Sequence, residues 1–270
     1  MSILLHISDT HFGTEQPRVV AALEVLARER LPDVLVFSGD ITQRARPAQF
    51  AAARRLCDRL GIARMLPLPG NHDIPLFDVL SRVARPYGNY LNAFGPRLDP
   101  TLETDDFLVI GVNTTRASRH VNGEVSPDQV RRVANQLQAA RPRQLRIVVT
   151  HQPAAVFRAE DEHDRLRGAD PALQAWSQAG ADLVLGGHIH LPYVLDLRDR
   201  PQPTPRPMWC VQAGTAVSSR VRHGTCNSVN LVHWDAVSPG QQRRCRLERC
   251  DYQPEKSWFE TVQSDWLGLG

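Results

Sequence analysis

Short apolar runs alternate with amphipathic stretches over the first quarter of the chain. Runs of aliphatic residues at positions 3–7, 34–37 and 63–68 predict β-strands. The stretches between them, residues 19–28 and 48–60, carry apolar residues on one face and predict helices. This regular order of strand and helix is typical of an α/β fold.

Regular structure resumes after residues 74–104, a stretch dense in Pro, Gly and aromatic residues that predicts mainly loops. The apolar run 107–112 predicts a strand, and Ser126 followed by Pro127 predicts the N-cap and first position of a helix that extends to about Gln138. Further strands are predicted at residues 145–149, 181–185, 208–211 and 228–234, with a helix near 171–179.

The last third of the chain offers weaker signals. Four prolines in residues 198–207 indicate an exposed hairpin excursion or loop. Residues 243–252 alternate in polarity and predict an edge strand, and Trp258 and Trp266 are expected to anchor the chain end on the body. The aromatic residues of this tail could instead pack on a second copy, which would give a homodimer.

We find no internal repeat and no composition shift that marks a domain boundary. One domain is therefore expected over residues 1–270, with its core at about 3–235 and a C-terminal strand and tail at 236–270.

Composition and charge argue against several classes of protein. The net charge of +3 is small, and the basic residues, all arginine except Lys256, are spread through the predicted helices. They are not gathered on one face with aromatic residues between them, so nucleic acid is not an expected partner. No apolar run is long enough for a signal peptide or a membrane span, and a cytoplasmic protein is expected. Five irregularly spaced cysteines predict free thiols.

Side chains able to bind metal ions follow the ends of several apolar runs. Asp9 follows the first run, Asp40 the second, and His151 and His188 follow two later ones. Prolines and a glycine stop the third strand and place Asn71 in the loop beyond it. Metal-binding residue types therefore gather at strand ends.

Two of these residues have a further candidate ligand two positions on, His11 after Asp9 and His190 after His188. Residues two apart in extended backbone point to the same side, so neighbouring side chains can share one site. Carboxylate and imidazole ligands together suit Mn, Fe or Zn better than Mg or Ca. The two oxygens of Asp40 could bridge two cations about 3.5–4 Å apart. Any one histidine alone would more often be structural, whereas the ordered set indicates a two-metal centre.

The order Asp-x-His, Gly-Asp, Gly-Asn-His-Asp, His and Gly-His-x-His resembles the calcineurin-like metallophosphoesterase superfamily, over about residues 3–235. The resemblance implies a four-layer αββα sandwich, in which two mixed β-sheets face each other and are flanked by helices. It also implies two divalent or trivalent metal ions, Mn and Fe or Zn, at strand ends on one edge. One ion would be held by Asp9, His11, Asp40 and His190, and the other by Asp40, Asn71, His151 and His188.

The residues beside Asn71 complete the implied chemistry. His72 is not needed as a ligand, and an imidazole with a pKa near neutrality suits the protonation of a leaving alkoxide. The superfamily assigns this histidine the role of general acid, and Asp73 is a candidate for orienting it. A hydroxide bridging the two metals would attack phosphorus directly, so no protein nucleophile is required.

The segments Ile7–Gly13 and Gly214–Arg220 resemble bacterial class III cyclic-nucleotide phosphodiesterases and their relatives. A small phosphodiester, with 3′,5′-cyclic nucleotides among the candidates, is therefore the expected substrate. Asn71 and His72 are expected to contact it. Asn113 and Arg116 are further candidates, although Arg116 could equally be a surface residue. Residues 119–120 and 158–167 are other candidate loops, in which His163 is expected to be solvated.

Two alternatives remain open from the sequence. The same chemistry could serve a phosphomonoesterase or a nuclease, although nucleases of this superfamily usually carry an extra DNA-binding domain. A non-catalytic interaction scaffold on the same fold is the alternative of another class. Such scaffolds tend to lose metal ligands or the histidine that acts as general acid, whereas each of those positions is filled here.

Overall fold

Two six-stranded mixed β-sheets form the centre of the computed structural model, which describes residues 1–119, 121–236 and 241–270. In chain order its elements are β1 (Ser2–Ile7), α1 (Pro17–Arg30), β2 (Val34–Phe37), α2 (Pro47–Leu60), β3 (Arg64–Pro67), α3 (Val79–Ala84), α4 (Gly88–Phe94), β4 (Thr101–Glu103), β5 (Phe107–Gly111), α5 (Pro127–Gln138), β6 (Leu145–Val149), α6 (Ala169–Gln178), β7 (Leu183–Gly186), β8 (Tyr193–Asp196), β9 (Trp209–Gln212), β10 (Ser228–Trp234), β11 (Arg244–Gln253) and β12 (Trp258–Gly268).

The first sheet has the order β12-β11-β10-β1-β2-β3 and the second β4-β5-β6-β7-β9-β8. Parallel pairing joins β1, β2 and β3 in the first sheet and β5, β6, β7 and β9 in the second. The carboxyl ends of parallel neighbours lie at the same edge of a sheet. Each sheet therefore has one edge where several loops begin side by side.

Alternating side chains divide the core into three apolar layers. Leu4 and Val34 point between the sheets, together with Ile147 from the second sheet. Leu5 and Phe37 point the other way, against α1, α2 and α4. On the far face of the second sheet, β5, β6 and β7 pack against α5 and α6. This is the four-layer αββα arrangement that the resemblance implied, and that expectation is confirmed.

Most of the elements expected from the sequence are present. The predicted bounds of β2, β6 and β10 agree with the observed ones, and Ser126 caps α5 by accepting a hydrogen bond from the Gln129 backbone N–H. Residues 198–207 form the connection between antiparallel β8 and β9. All five cysteines are free. Within the described ranges no helix is long and apolar enough to cross a membrane.

The tail departs from its prediction. Residues 244–253 form β11, but this strand is internal because β12 pairs along its whole length and takes the edge position. Trp258 and Trp266 do not anchor the tail, since they are 51% and 59% exposed. The buried side chains of Phe259 and Leu267 do so instead. Strand alternation turns the two tryptophans to the solvent face.

Candidate metal centre

Loops from both sheets meet at the carboxyl ends of the parallel strands. Asp9 follows β1 and Asp40 follows β2, while His151 follows β6 and His188 follows β7. Short hydrogen bonds join the loops: the Asp9 N–H donates to the Gly39 carbonyl at 3.0 Å, and the His188 N–H donates to the Asp9 carboxylate at 3.0 Å. The predicted ligands of the two sheets are thereby brought to one place.

One cluster consists of Asp9, His11, Asp40 and His190, whose potential ligand atoms all lie within 4.8 Å of one another. The Nε2 atoms of His11 and His190 are 3.0 Å apart. His11 Nε2 also lies 3.8 Å from Asp9 Oδ1 and 3.7 Å from Asp40 Oδ2. Four polar atoms thus converge on one point, as the ligands of a metal ion do.

A second cluster shares Asp40 and adds His151 and His188. His151 Nε2 lies 3.2 Å from Asp40 Oδ1 and 3.2 Å from Asn71 Oδ1. Asp40 therefore directs one carboxylate oxygen to each cluster, Oδ2 to the first and Oδ1 to the second. A carboxylate placed in this way is able to bridge two cations.

His188 gives an independent test of whether a cation fits. Its Nε2 lies 3.8 Å from Asp164 Oδ1, while its Nδ1 is buried and has no hydrogen-bond partner among the described residues. A buried ring nitrogen without a partner is costly unless it binds something. The pairing of the opposite nitrogen with a carboxylate is the arrangement that orients metal-binding histidines. The residues present therefore fit a metal ion.

His151 is held in the orientation that a ligand needs. Its Nδ1 donates to the Ser38 carbonyl at 2.9 Å, so Nε2 is the nitrogen that faces Asp40 and Asn71. The bond also crosses between the sheets, since Ser38 follows β2 and His151 follows β6. The fold therefore fixes which nitrogen of His151 faces the second cluster.

The backbone is strained at five of the candidate ligands. Asp9, His11, Asp40, His188 and His190 have φ angles of 53°, 41°, 46°, 75° and 57°. Non-glycine residues seldom adopt this left-handed region, and such strain gathers at functional sites. The loops therefore hold conformations that direct these side chains inward at a cost to stability.

Burial and mutual charge shift the pKa values of the cluster strongly. Burial lowers the pKa of His11 to about 3. Burial alone would raise the pKa of Asp9, but its hydrogen bond and charge interaction with His190 hold it at about 2. Burial opposes protonation of His151, yet the Asp40 carboxylate raises its pKa to about 9. Without cations, the carboxylates are thus neutralised by imidazolium groups.

Gly39 is required by the packing beside Asp40. Its φ of +103° is open to glycine and strained for other residues, and a Cβ there would lie 2.5 Å from His151 Nδ1. A side chain at this position would displace an imidazole of the second cluster.

His72 lies next to both clusters and belongs to neither. Its backbone N–H donates to Asp40 Oδ1 at 2.9 Å, and its ring packs edge-on against His11 with centroids 4.8 Å apart. Nδ1 donates to the Gln43 carbonyl at 3.1 Å, and Nε2 faces Arg220 Nη1 at 3.2 Å. The half-buried imidazole is thus positioned beside the clusters, with Nε2 as the nitrogen that can take part in proton transfer.

The expectation that Asp73 orients His72 is corrected by the structure. Its carboxylate accepts hydrogen bonds from the backbone N–H groups of Gly70, Ile41 and Thr42 and from the Thr42 hydroxyl. Both oxygens are therefore engaged in joining the loops after β2 and β3. Burial and the Asp40 charge raise the pKa of Asp73 to about 7. Asp73 is a positioning residue for the loops rather than a partner of the imidazole.

The substrate contacts expected from Asn113 and Arg116 stay predictions. Asn113 Oδ1 accepts bonds from the N–H and hydroxyl of Thr115, while Arg116 donates to the carbonyls of Asn113 and Thr115. Within the described ranges, neither side chain hydrogen-bonds to a residue of the two metal-ligand clusters. Both side chains brace their own loop.

The other candidate loops have mixed outcomes. His163 is solvent-exposed, as expected, with 75% of its side chain accessible. Arg119 forms an ion pair with Glu124 at 2.9 Å, and His120 lies outside the described residues. Sequence reasoning did not single out Asp164, which comes from a 3₁₀ turn at Ala159–Asp164. It also named Arg220 only as part of a resembling segment, although its Nη1 lies 3.2 Å from His72 Nε2.

The chain is similar in sequence to known phosphoesterases. The model of the family described as calcineurin-like phosphoesterase matches residues 3–192. A glycerophosphodiester phosphodiesterase, GpdQ of Enterobacter lignolyticus, is 37% identical over 83 residues, covering 26% of this chain and 29% of the relative. A cAMP/cGMP dual specificity phosphodiesterase of Mycobacterium tuberculosis is 27% identical over 205 residues, covering 70% of this chain and 61% of the relative. The chain therefore spans less than two thirds of the length of either relative.

Solved structures share the fold at low sequence identity. A purple acid phosphatase from yellow lupin, Lupinus luteus, aligns with a TM-score of 0.70 at 11% identity, covering 99% of this chain and 53% of that one. A dimetal phosphatase from Danio rerio aligns with a TM-score of 0.63 at 11% identity, covering 100% of this chain and 99% of that one. At this identity the likeness supports the fold alone.

Proposed function

The chain belongs to the calcineurin-like phosphoesterase family, and from this we propose that it is a phosphodiesterase that uses two metal ions to hydrolyse small phosphodiesters. The observation that carries the proposal is the sharing of Asp40 between two ligand clusters, with one carboxylate oxygen directed to each. The names of the two curated relatives, both phosphodiesterases, support a diester over a monoester.

Asp9, His11, Asp40 and His190 would hold one ion, and Asp40, Asn71, His151 and His188 the other. We propose Mn, Fe or Zn as the metals. Besides the shared Asp40, two of the three ligands in each set are imidazole nitrogens, which these metals accept readily. When bound, the two cations would neutralise charge on the phosphoryl group and lower the pKa of water enough to supply a nucleophile at neutral pH.

The protein's own residues then act on the leaving side. The backbone bond to Asp40 fixes His72 relative to the clusters. Because its Nδ1 is engaged by Gln43, protonated Nε2 is the atom that would donate to the departing oxygen. Asn71 would also contact the substrate while its amide oxygen serves as a metal ligand.

The space beside the second cluster can receive part of a substrate. A depression of about 490 Å³ that is largely open to solvent lies beside His188 and His190 and is walled by Glu160, Asp164 and Arg222 among others. It has room for an alcohol or nucleoside part of a diester, and 3′,5′-cyclic nucleotides are the first specific candidates.

Turnover of two model substrates tests the proposal. The chelator-treated protein, reconstituted with Mn²⁺, is assayed with bis-p-nitrophenyl phosphate beside p-nitrophenyl phosphate, and an EDTA-treated sample is the control. We expect chelator-sensitive hydrolysis with preference for the diester. Preference for the monoester would replace the proposal with a phosphatase, and absence of turnover of either substrate by protein with bound metal would favour the scaffold.

A further inference from the structure

Arg220 lies in the loop between β9 and β10, and its backbone is firmly placed. Its N–H donates to the Ser218 hydroxyl at 2.9 Å, and its carbonyl accepts from the Thr215 hydroxyl at 2.9 Å. The same loop is tied to the loop after β1, since the Ser219 N–H donates to the Thr14 carbonyl at 3.0 Å. The guanidinium is therefore directed by the fold rather than left free in solvent.

The guanidinium reaches into the candidate site. Nη1 lies 3.2 Å from His72 Nε2, 3.3 Å from His11 Nδ1 and 3.0 Å from Gln43 Oε1. Within the described part of the chain, Nε and Nη2 make no hydrogen bond. Several N–H donors of the planar fork thus remain available beside His72.

This arginine also has no counter-ion among the residues that the structure describes. Among the described residues no carboxylate lies within ion-pair distance of Arg220, whereas Arg222, two positions on, pairs with Glu160 at 3.0 Å and with Asp161 at 2.8 Å. A half-buried cation without an acidic partner in a cleft attracts an anionic ligand. Within the described residues, the same loop therefore carries one arginine with two acidic partners and one with none.

Metal binding by His11 would remove one of the contacts that hold the Arg220 guanidinium. A neutral imidazole carries one N–H, so His11 with Nε2 bound to a cation must hold its proton on Nδ1. That nitrogen could then no longer accept a bond from Arg220. The arginine would turn to another acceptor within reach.

We infer that Arg220 is a substrate-binding residue whose guanidinium binds a phosphoryl oxygen beside His72. The inference rests on the proposed function, because it takes a phosphoester as the ligand of the site. Arginine suits this role because its planar fork matches two oxygens of one phosphoryl group. It would add a positive charge beside His72 and next to His11 of the first cluster.

Binding of inorganic phosphate tests the inference without turnover. Wild type and the Arg220→Met and Arg220→Lys variants, each loaded with Mn²⁺, are titrated with phosphate by calorimetry, and metal content and melting temperature are measured. We expect Arg220→Met to weaken phosphate binding about 10- to 100-fold with metal content and melting temperature unchanged. Arg220→Lys should recover part of the loss, because it keeps the charge without the fork.

Arg44→Ala is the matched control, since Arg44 is exposed next to Gln43 and stacks on Phe77. It removes the same charge near the cleft and is expected to change phosphate binding less than about 3-fold. Equal effects of Arg44→Ala and Arg220→Met would overturn the inference in favour of a general charge effect. Loss of metal or a lowered melting temperature in Arg220→Met, without rescue by lysine, would overturn it in favour of a structural role.

Turnover separates this inference from the proposed function. With bis-p-nitrophenyl phosphate, Arg220→Met is expected to lower kcat/KM about 10- to 100-fold, mainly through KM. If wild type with bound metal hydrolyses no diester but the variant still weakens phosphate binding, the proposed function fails and Arg220 remains an anion-binding residue. If wild type hydrolyses the diester and the variant matches it in both assays, the inference fails alone.

Discussion

His72 directs Nε2 to the space between the ligand clusters and Arg220, and its proposed function as a general acid can be isolated by the choice of leaving group. His72→Ala should retain metal and lower turnover by about two to four orders of magnitude for alkyl diesters, whose leaving alkoxides need a proton. For p-nitrophenolate, which leaves without protonation, the loss should be much smaller. Steady-state kinetics with both substrate types provide the comparison.

His223→Ala is the control for that variant, because its imidazole is exposed in the loop that also carries Arg220. It should match wild type with either leaving group. Equal losses for alkyl and p-nitrophenyl diesters in His72→Ala would show that the histidine binds substrate without donating a proton.

Metal binding should release protons, because neighbouring carboxylates favour protonation of two of the imidazoles in the metal-free protein. The Asp40 carboxylate raises the pKa of His151 to about 9 against the effect of burial, and Asp9 likewise raises the pKa of His190. At pH 7 His151 therefore holds a proton that a metal must displace, and the raised pKa of His190 acts in the same direction. Metal affinity should rise with pH up to about 9, with release of about one proton at pH 7 from His151.

Calorimetric titration with Mn²⁺ in buffers of different ionisation enthalpy measures this proton release. The same raised pKa values mean that, without metal, His151 stabilises the fold fully below the pKa of an unfolded histidine. This stabilisation is lost as the pH rises through about 9. A metal affinity independent of pH over this range would contradict the proposed ligands.

Candidate metal ligands could be predicted from sequence because their residue types and spacing are distinctive, as with Asp9 and His11. The directions of the side chains next to these ligands could not be predicted from sequence. Asp73 turns to the backbone of the loop after β2, and Arg116 turns to its own loop, because unpaired N–H groups and carbonyls there compete for them. The role of Arg220 could not be predicted, because it lies 148 positions from His72 in the sequence and only the tertiary structure brings the two together.

At the level of elements, the loops after the parallel strands must pass close to one another, and Gly39 marks the tightest approach to His151. Gly39→Ala should remove binding of at least one metal ion and lower the free energy of unfolding by about 2–4 kcal/mol, through strain at its positive φ and collision with the imidazole. Denaturant unfolding and metal analysis measure the two effects.

Gly61→Ala is the matched control, since Gly61 also has a positive φ, +69°, but a Cβ there would meet nothing within 4 Å. It should cost about 1 kcal/mol and leave metal content unchanged. Retention of both metal ions by Gly39→Ala would show that the loop can relax and that the close approach is not required.

Sequence patterns located the elements whose faces are buried. Strand β2 is a continuous apolar run, and β6 and β10 are largely apolar, because all three lie inside sheets with packed layers on both sides. The helix α3 was not predicted, and it has no buried residue, so no core-facing pattern marks it. Strand β11 was placed at an edge because the weakly apolar β12 beyond it gave no strand signal of its own.

For the whole molecule, the two sheets must face each other before the ligand sets exist. Asp9 and Asp40 come from one sheet, whereas His151 and His188 come from the other. Periodicity predicted strands and helices, but only the motif order implied that two separate sheets share their loop edge. The single domain over residues 1–270, the cytoplasmic location and the homodimer remain predictions.

Metal stoichiometry of wild type and Asp40→Ala tests the central claim most directly, because Asp40 is the residue that both clusters share. Equilibrium dialysis against Mn²⁺, followed by metal analysis, gives the number of ions per chain, and a melting curve shows whether the variant is folded. The account predicts about two ions for wild type and at most one for folded Asp40→Ala, which should also lose diester hydrolysis. Two ions and full activity in Asp40→Ala would contradict it.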